Sequence, residues 1–412
     1  MKTRKTMKVA CAALAAVMTM GVVVGCGGAK NYAEKNTAFY IGASGPLSGS
    51  AAVYGKAVQR GAELAVEEIN AKNEDGIKFT FAIKDDKASK TDVPLNYATM
   101  YEAGMQVSLG CVTSGACLEF KSSAVENDLF TLCPSATADD VTKDAPTVYQ
   151  MCFSDSNQGG VAAKQYFNTD KVPSGVKLGI LYCSNDAYST GIRANFLNSL
   201  DRTKFPADKV KEASFTNDAS GNPPTSLSSQ VDSLKDCDYF FMPIYYTPAA
   251  KFMTEGKEKG VKAEAVYFGC DGFDGIDTAI AGFDITTIPQ KVSMLSHFSA
   301  TATDEKTATF VSAYKAKYNN EVPIQFGASA YDCVYAIYEA IKIAKANGKD
   351  VPFSISPQDM SKVLCEVFQS DNFKFSGVTT AGKTATWKED GTVEKTAEIV
   401  VIRKQPQRNG SV

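Results

Sequence analysis

Apolar and polar positions along this chain change period in a regular order. Residues 38–44 form a continuous apolar run of buried-strand type and pass into a Gly/Pro/Ser loop at 45–50. Residues 55–72 follow, with Val58, Ala62, Ala65, Val66 and Ile69 at the i, i+3, i+4 spacing of one helix face. Phe79, Phe81 and Ile83 then alternate along a strand that ends at Asp85-Asp86. The next stretch repeats the scheme: a strand at 106–110, a polar turn with Ser114 and Gly115, a helix at 116–127, a strand at 128–133, and the polar segment Pro134-Ser135-Ala136-Thr137. Alternation continues to Tyr149, which is the pattern of a parallel, doubly wound sheet.

The alternation then starts again. Strands are expected at 176–183, 209–215, 238–244, 265–268 and 292–296, with helices at 188–200, 225–234 and 248–259 between them. Two long helices (304–318 and 328–346) and a third at 357–368 come next. A β-rich tail at 373–402 carries the hairpin signal Asp390-Gly391. The fold class is therefore α/β, with two doubly wound parallel-sheet lobes.

The first residues read as a targeting segment. Lys2, Arg4, Lys5 and Lys8 precede an apolar stretch at 9–24 and a Cys at 26, the layout of a secretory signal. The ending Val23-Val24-Gly25-Cys26 resembles the lipobox of bacterial lipoproteins, which implies cleavage before Cys26 and a lipid on its sulfur. Residues 1–25 are then a signal peptide and 26–37 a small, polar, lipidated tether. The remainder is long for one domain and suits two of about 150–200 residues each.

Charge is nearly balanced, 43 Lys and Arg against 46 Asp and Glu, with no basic cluster, so a nucleic-acid partner is not expected. Of 11 cysteines, one leaves with the signal and one carries lipid. The odd remainder cannot pair fully, shows no Cys-x-x-Cys, and sits largely in apolar strand contexts. Buried thiols acting as small hydrophobes are the better reading, and an anaerobic habitat would suit an exported protein that keeps them free.

Candidate chemistry concentrates after strand ends. Loops there present hydroxyls and helix N-termini to ligands in open α/β sheets. Ser114 and Thr137 stand in two such loops and converge on one small anion, most simply a carboxylate; the plainer alternative is two helix caps. The segment Gly377-Val-Thr-Thr-Ala-Gly382-Lys383-Thr384 matches a phosphate loop, yet a hairpin is expected after it where that motif needs a helix. His297 is the single histidine, which excludes His-rich metal sites and leaves one base for any triad. No Gly-x-Ser-x-Gly is present. Neither catalysis nor a cofactor or metal is expected, and His297, at the second crossover between lobes, reads as a hinge residue.

Ile41-Gly-Ala-Ser-Gly-Pro-Leu-Ser-Gly, Tyr54-Gly55 and Gly61-Ala-Glu-Leu-Ala-Val-Glu-Glu-Ile-Asn70 are similar to the start of the extracytoplasmic leucine/isoleucine/valine-binding proteins of ABC importers. The resemblance returns at Asp85-Asp86, Pro134 to Thr137, Asp155 to Gly159, Tyr188, Pro243 to Tyr246, Gly269 to Gly272 and Phe326 to Tyr331. It implies a type I periplasmic binding protein fold, two lobes joined by three crossovers: 38–154 with 298–400, and 155–297 with 401–412. It implies also that Ser114 and Thr137 hold a ligand α-carboxylate, that Ser135 lies where backbone takes part, with Ala136 in the same stretch, and that Asp271 pairs with the α-ammonium. Asp155 lies at the first crossover. Tyr188 and Tyr245 close from the second lobe, with Tyr246 a substitute for Tyr245. Tyr54, Phe326 and Tyr331 fall near the side-chain pocket. Ala88 and Thr113 stand where familiar members carry a disulfide.

The resemblance implies an exported, lipid-anchored receptor on the outer face of the cytoplasmic membrane, at the cell surface or in the periplasm. The expected protein is a monomer that delivers an amino acid to a permease. A sensory lipoprotein using the same cleft is the alternative from another class; an amide, short peptide or aromatic acid is the alternative ligand. A ligand without an ammonium would leave Asp271 unpaired in a closed cleft.

Overall fold

The computed structural model describes residues 37–403, apart from positions 278, 279, 281, 381 and 396. The expected signal peptide, Cys26 and the tether to residue 36 lie outside the described residues.

The first sheet is built from β1 (Phe39–Gly45), β2 (Phe79–Asp85), β3 (Val107–Cys111), β4 (Thr131–Cys133) and β5 (Val148–Gln150), in the order β2-β1-β3-β4-β5. All its pairings are parallel. β1 is buried along its whole length, as a strand covered on both faces must be, and this explains its unbroken apolar run. The connecting helices are α1 (Ala52–Lys72), α2 (Val93–Glu102) and α3 (Ser114–Glu126).

The chain then enters α4 (Asp155–Ala162), capped by Ser154, whose hydroxyl accepts from Asn157 N–H. The second sheet contains β6 (Leu178–Cys183), β7 (Val210–Phe215), β8 (Tyr239–Met242), β9 (Val266–Gly269) and β10 (Lys291–Ser296), interleaved with α5 (Ala187–Ser199), α6 (Ser228–Leu234) and α7 (Tyr246–Glu258). Three helices follow, α8 (Glu305–Lys317), α9 (Gln325–Ala346) and α10 (Pro357–Phe368), before β11 (Glu398–Arg403) closes the second sheet antiparallel to β10. Its order is β11-β10-β9-β8-β6-β7. β11 pairs with β10 from Glu398 onward, slightly earlier than the return at 401 read from the sequence.

α9 packs on α1, and α10 on α9 and β3, so the long late helices cover the first sheet. The α1/α9 crossing is close enough that a Cβ on Gly61 would sit 1.9 Å from the Gly327 carbonyl oxygen. A helix-interior glycine costs stability through backbone entropy; here it lets the two backbones touch.

Three elements differ from expectation. The turn at Ser114-Gly115 is already helix. β4 starts at Thr131, because Asp128 turns with φ 49° and Leu129 N–H still bonds back to Ala124 of α3. The tail before β11 pairs only through the antiparallel bridges Phe375–Ala385 and Trp387–Val393. Its aromatic residues join the core instead: Trp387 stacks on Phe373, 5.6 Å between centroids, and its Nε1–H donates to the Gln150 carbonyl at 2.7 Å. The Asp390-Gly391 turn joins the second bridge, so an antiparallel turn follows the phosphate-loop-like segment.

Candidate functional site

The candidate site lies where the C-terminal ends of the two sheets face each other. On the first sheet, β3 runs through Val112 into Thr113, the extended N-cap of α3, whose side chain makes no capping bond. The first intrahelical bond of this end is Cys117 N–H to the Thr113 carbonyl, 2.9 Å. The N–H groups of Ser114, Gly115 and Ala116 thus have no intrahelical acceptor, and no acidic residue stands in the first turn. This end carries the positive pole of the helix. Ser114 Oγ accepts from Ala138 N–H at 3.2 Å, which leaves its own hydrogen to donate. Thr137 Oγ1 is buried with no hydrogen-bond partner among the described residues. Two hydroxyls and a free helix end are the donors that a small anion would need.

The loop after β4 is held from behind. Ser135 Oγ donates to the Val112 carbonyl at 2.7 Å, and Gln150 Nε2 donates to the Ala136 and Ala138 carbonyls at 2.7 and 3.2 Å. The Asp155 N–H donates to the Thr137 carbonyl at 2.8 Å, so the start of α4 is registered on the same loop.

Two acidic side chains face this end. Asp271 follows β9 in a single 3-10 turn, is 1% exposed, and its Oδ1 has no partner among the described residues. Its N–H donates to Gln158 Oε1 at 3.1 Å. Burial pushes its carboxyl up to about 7. Asp155 is fully buried and neither of its oxygens has a partner among the described residues. Burial holds its carboxyl well above the usual range; the nearby Thr137 hydroxyl opposes this without reaching hydrogen-bond geometry, and Asp271 adds to it. Gly191 on α5 makes room for Asp155, since a Cβ there would lie 2.5 Å from Oδ2. Two buried carboxylates at one place strongly favour a cationic guest.

Aromatic rings form the walls. Tyr188 Oη accepts from Gly272 N–H at 2.9 Å, and its ring lies 5.1 Å from that of Tyr245. Tyr54 Oη donates to the Gly272 carbonyl at 2.5 Å and accepts from Tyr246 N–H at 3.2 Å. The Tyr54 ring meets Phe326 edge-on at 4.7 Å and both Tyr245 and Tyr246 at 5.4 and 5.1 Å. These groups close on one another around a small cavity of about 10 Å³.

Of the residues expected from the sequence, Tyr54, Ser114, Ser135, Tyr188, Tyr245, Asp271 and Phe326 line this space. Ala136, Thr137 and Asp155 are buried beside it. Tyr331 is not brought to it. Its hydroxyl donates to Glu68 Oε2 at 2.6 Å and its ring packs on Phe310 at 4.7 Å, at the α1/α9 contact. Tyr246 is no stand-in for Tyr245: it begins α7, and its ring and N–H both meet Tyr54. Thr113, Gln158 and Gly272 were missed. Thr113 carried a signal, being the extended residue between a strand and a helix start. His297 follows β10, with Nε2 2.7 Å from Ser329 Oγ and its ring edge-on to Phe153 at 4.7 Å. Burial keeps its imidazole well below the ordinary value and so neutral.

The fold has counterparts among known proteins. The profile of the periplasmic binding protein family matches residues 38–406. A Leu/Ile/Val-binding protein of Rhizobium johnstonii is 28% identical over 330 residues, covering 76% of this chain and 85% of that protein. The substrate-binding protein of a branched-chain amino acid transporter from Streptococcus pneumoniae, solved with isoleucine, superposes with a TM-score of 0.71 at 26% identity, over 89% of this chain and 98% of that one. A solute-binding protein from R. palustris solved with benzoate shares the fold, with a TM-score of 0.72 at 18% identity over 89% and 94% of the two chains.

Proposed function

Because the chain belongs to the periplasmic binding protein family, we propose that it captures an α-amino acid between its two sheets and passes it to the permease of an ABC importer. The observation that carries this reading is the pairing of opposite needs across one small space. The α3 N-terminus with Thr137 Oγ1 calls for an anion, and Asp271 with Asp155 calls for a cation. A zwitterion satisfies both at once, and each half alone leaves a buried polar group unpaired. The isoleucine bound by the pneumococcal relative is such a molecule.

In this reading residues 38–154 with 298–400 form one lobe and 155–297 with 401–412 the other, except that β11 draws the last boundary back to Glu398. The ligand docks its carboxylate on the α3 lobe, and its ammonium recruits Asp271 as the lobes close. The protein is exported, lipidated at Cys26 and held on the outer face of the cytoplasmic membrane as a monomer.

A thermal-shift screen over amino acids, their amides, and aromatic acids such as benzoate tests this, since saturating ligand raises stability by RT ln(1 + [L]/Kd). Stabilisation by one or more free amino acids, with none by the matching amides, is expected. Stabilisation by an aromatic acid alone would overturn the amino-acid reading. The ring-lined walls favour that second reading, and unpaired Asp271 opposes it.

A further inference from the structure

Beneath the anion end of the cleft two sulfur atoms touch. Cys117 Sγ, in the first turns of α3, lies 3.3 Å from Cys133 Sγ at the end of β4. The hollow they share is made by Gly110, whose φ of +63° suits glycine and whose missing Cβ would lie 2.8 Å from Cys133 Sγ and 3.6 Å from Cys117 Sγ. Among the described residues, no other pair of cysteine sulfurs is within hydrogen-bonding geometry. Cys111 interacts with Cys117 electrostatically, and Cys152 Sγ is turned to the Ala136 carbonyl, 3.5 Å away. Bonded sulfurs stand about 2.05 Å apart, so about an ångström of movement, shared by two side chains, joins this pair.

We propose that Cys117 and Cys133 are an oxidisable dithiol, which a disulfide oxidant outside the cell converts to an intrachain disulfide tying α3 to β4. The Cys133 S–H favours the thiolate of Cys117, lowering its pKa, while its own is raised well above the ordinary value by the same contact and by burial. Either thiol can lead the exchange; with Cys117 leading, the sulfurs react in this order. The Cys117 thiolate attacks one sulfur of the oxidant and expels a thiolate, leaving a mixed disulfide. Cys133 gives its proton to that thiolate and attacks the Cys117 sulfur. The second oxidant thiolate leaves and takes up the proton that Cys117 had lost. Two thiols are oxidised and one oxidant disulfide is reduced to two thiols.

Both sulfurs are buried, at 1% and 0% exposure. The reaction therefore belongs to the newly exported chain, before α3 is seated, or to local opening of that helix. The bridge would close a loop of 16 residues, which lowers the unfolding constant about a hundredfold. It lies one turn past Ser114 and just before the Ser135–Thr137 loop, so it would brace both halves of the anion site.

The test uses the full chain, unfolded in urea and refolded in buffers of stepped reduced and oxidised glutathione, then denatured, alkylated and peptide-mapped. A cross-linked Cys117–Cys133 peptide should form in one two-thiol step, with Cys111 and Cys152 still alkylated. The urea midpoint should rise with it. Cys111→Ser should keep the cross-link and Cys117→Ser should lose it. Full alkylation of Cys117 and Cys133 at the most oxidising poise, or a cross-link that uses Cys111 in place of either, overturns the proposal. Should Cys117→Ser not fold, the wild-type map decides alone.

Discussion

Tyr54 Oη donates to the carbonyl of Gly272 at 2.5 Å, and this bond spans the cleft from α1 of the first lobe to the turn after β9 of the second. Tyr246 N–H completes the arrangement by donating to Tyr54 Oη. A side chain expected in a ligand pocket is thus also a clasp between lobes. Burial raises its phenol well above the ordinary value, so it stays a donor at every physiological pH. Tyr54→Phe keeps the ring contacts with Phe326, Tyr245 and Tyr246 and removes the clasp, leaving a buried carbonyl short of one donor. The closed form should lose about 1–3 kcal/mol. Small-angle scattering should show a more open protein and calorimetry weaker binding. Unchanged contraction and affinity would assign Tyr54 to packing alone.

Thr137→Ala should weaken amino-acid binding by about 1.5–3 kcal/mol, the range for hydrogen bonds to a charged group. Little stability should be lost, because Thr137 Oγ1 bonds no described residue. Ser114→Ala should weaken binding and also destabilise, because Ala138 N–H loses its acceptor. Equal stability losses in the two variants would contradict this division of labour.

Asp271 gives a pH dependence with a definite sign. Its carboxyl is raised from 3.8 to about 7 by burial, so the folded protein holds this proton more tightly than the unfolded chain. The stability this contributes is fully present below about pH 4 and is lost as pH rises through 7. An ammonium guest reverses the preference and expels the proton. Amino-acid affinity should therefore rise from pH 5 to pH 8, with proton release visible when calorimetry is repeated in buffers of different ionisation enthalpy. Asp271→Asn should abolish the release and cost less affinity than Asp271→Ala, which should lose about 2–5 kcal/mol. Proton release undiminished in Asp271→Asn would move the effect to Asp155.

Tyr331→Phe should leave ligand affinity unchanged and reduce stability by about 1 kcal/mol, since Tyr335 Oη still donates to Glu68 Oε2 at 2.8 Å. A clear loss of affinity would return Tyr331 to the cleft.

If Cys26 carries the lipid, Cys26→Ala should block lipidation and leave unprocessed precursor. Normal processing and retention on immunoblots of fractionated cells would refute lipidation there.

Most of the sheet order's raw material was visible in sequence, because buried parallel strands are continuous apolar runs and their helices keep one apolar face. The place of Ser114, Ser135 and Thr137 was visible for the same reason: polar residues directly after β3 and β4 stand at the open ends of strands. The placement of Tyr331 was not. It lies five residues beyond Phe326 on α9, about 140° further round the helix axis, and the crossing with α1 decides which of the two rings faces the cleft. The tail misled because Phe373, Phe375 and Trp387 look like strand residues, whereas Trp387 is fixed by a bond to Gln150, more than 200 positions earlier. Nothing local announces that Asp155 is buried with no partner among the described residues; the empty side of Gly191 that admits it comes from α5.

The Gly61–Gly327 contact has a bearing on how the protein is made. α1 is among the first elements to be synthesised and α9 among the last, with β6–β10 of the second sheet between them. Until α9 arrives, the apolar face of α1 and the β3 surface that α10 covers have no permanent neighbour. Contacts this distant in sequence form slowly and expose the chain to aggregation meanwhile. The second sheet, complete but for β11, can pack early. The half of the protein that begins first therefore waits for α9 and α10, and a chaperone holding the unfinished chain would meet β1–β5 rather than β6–β10.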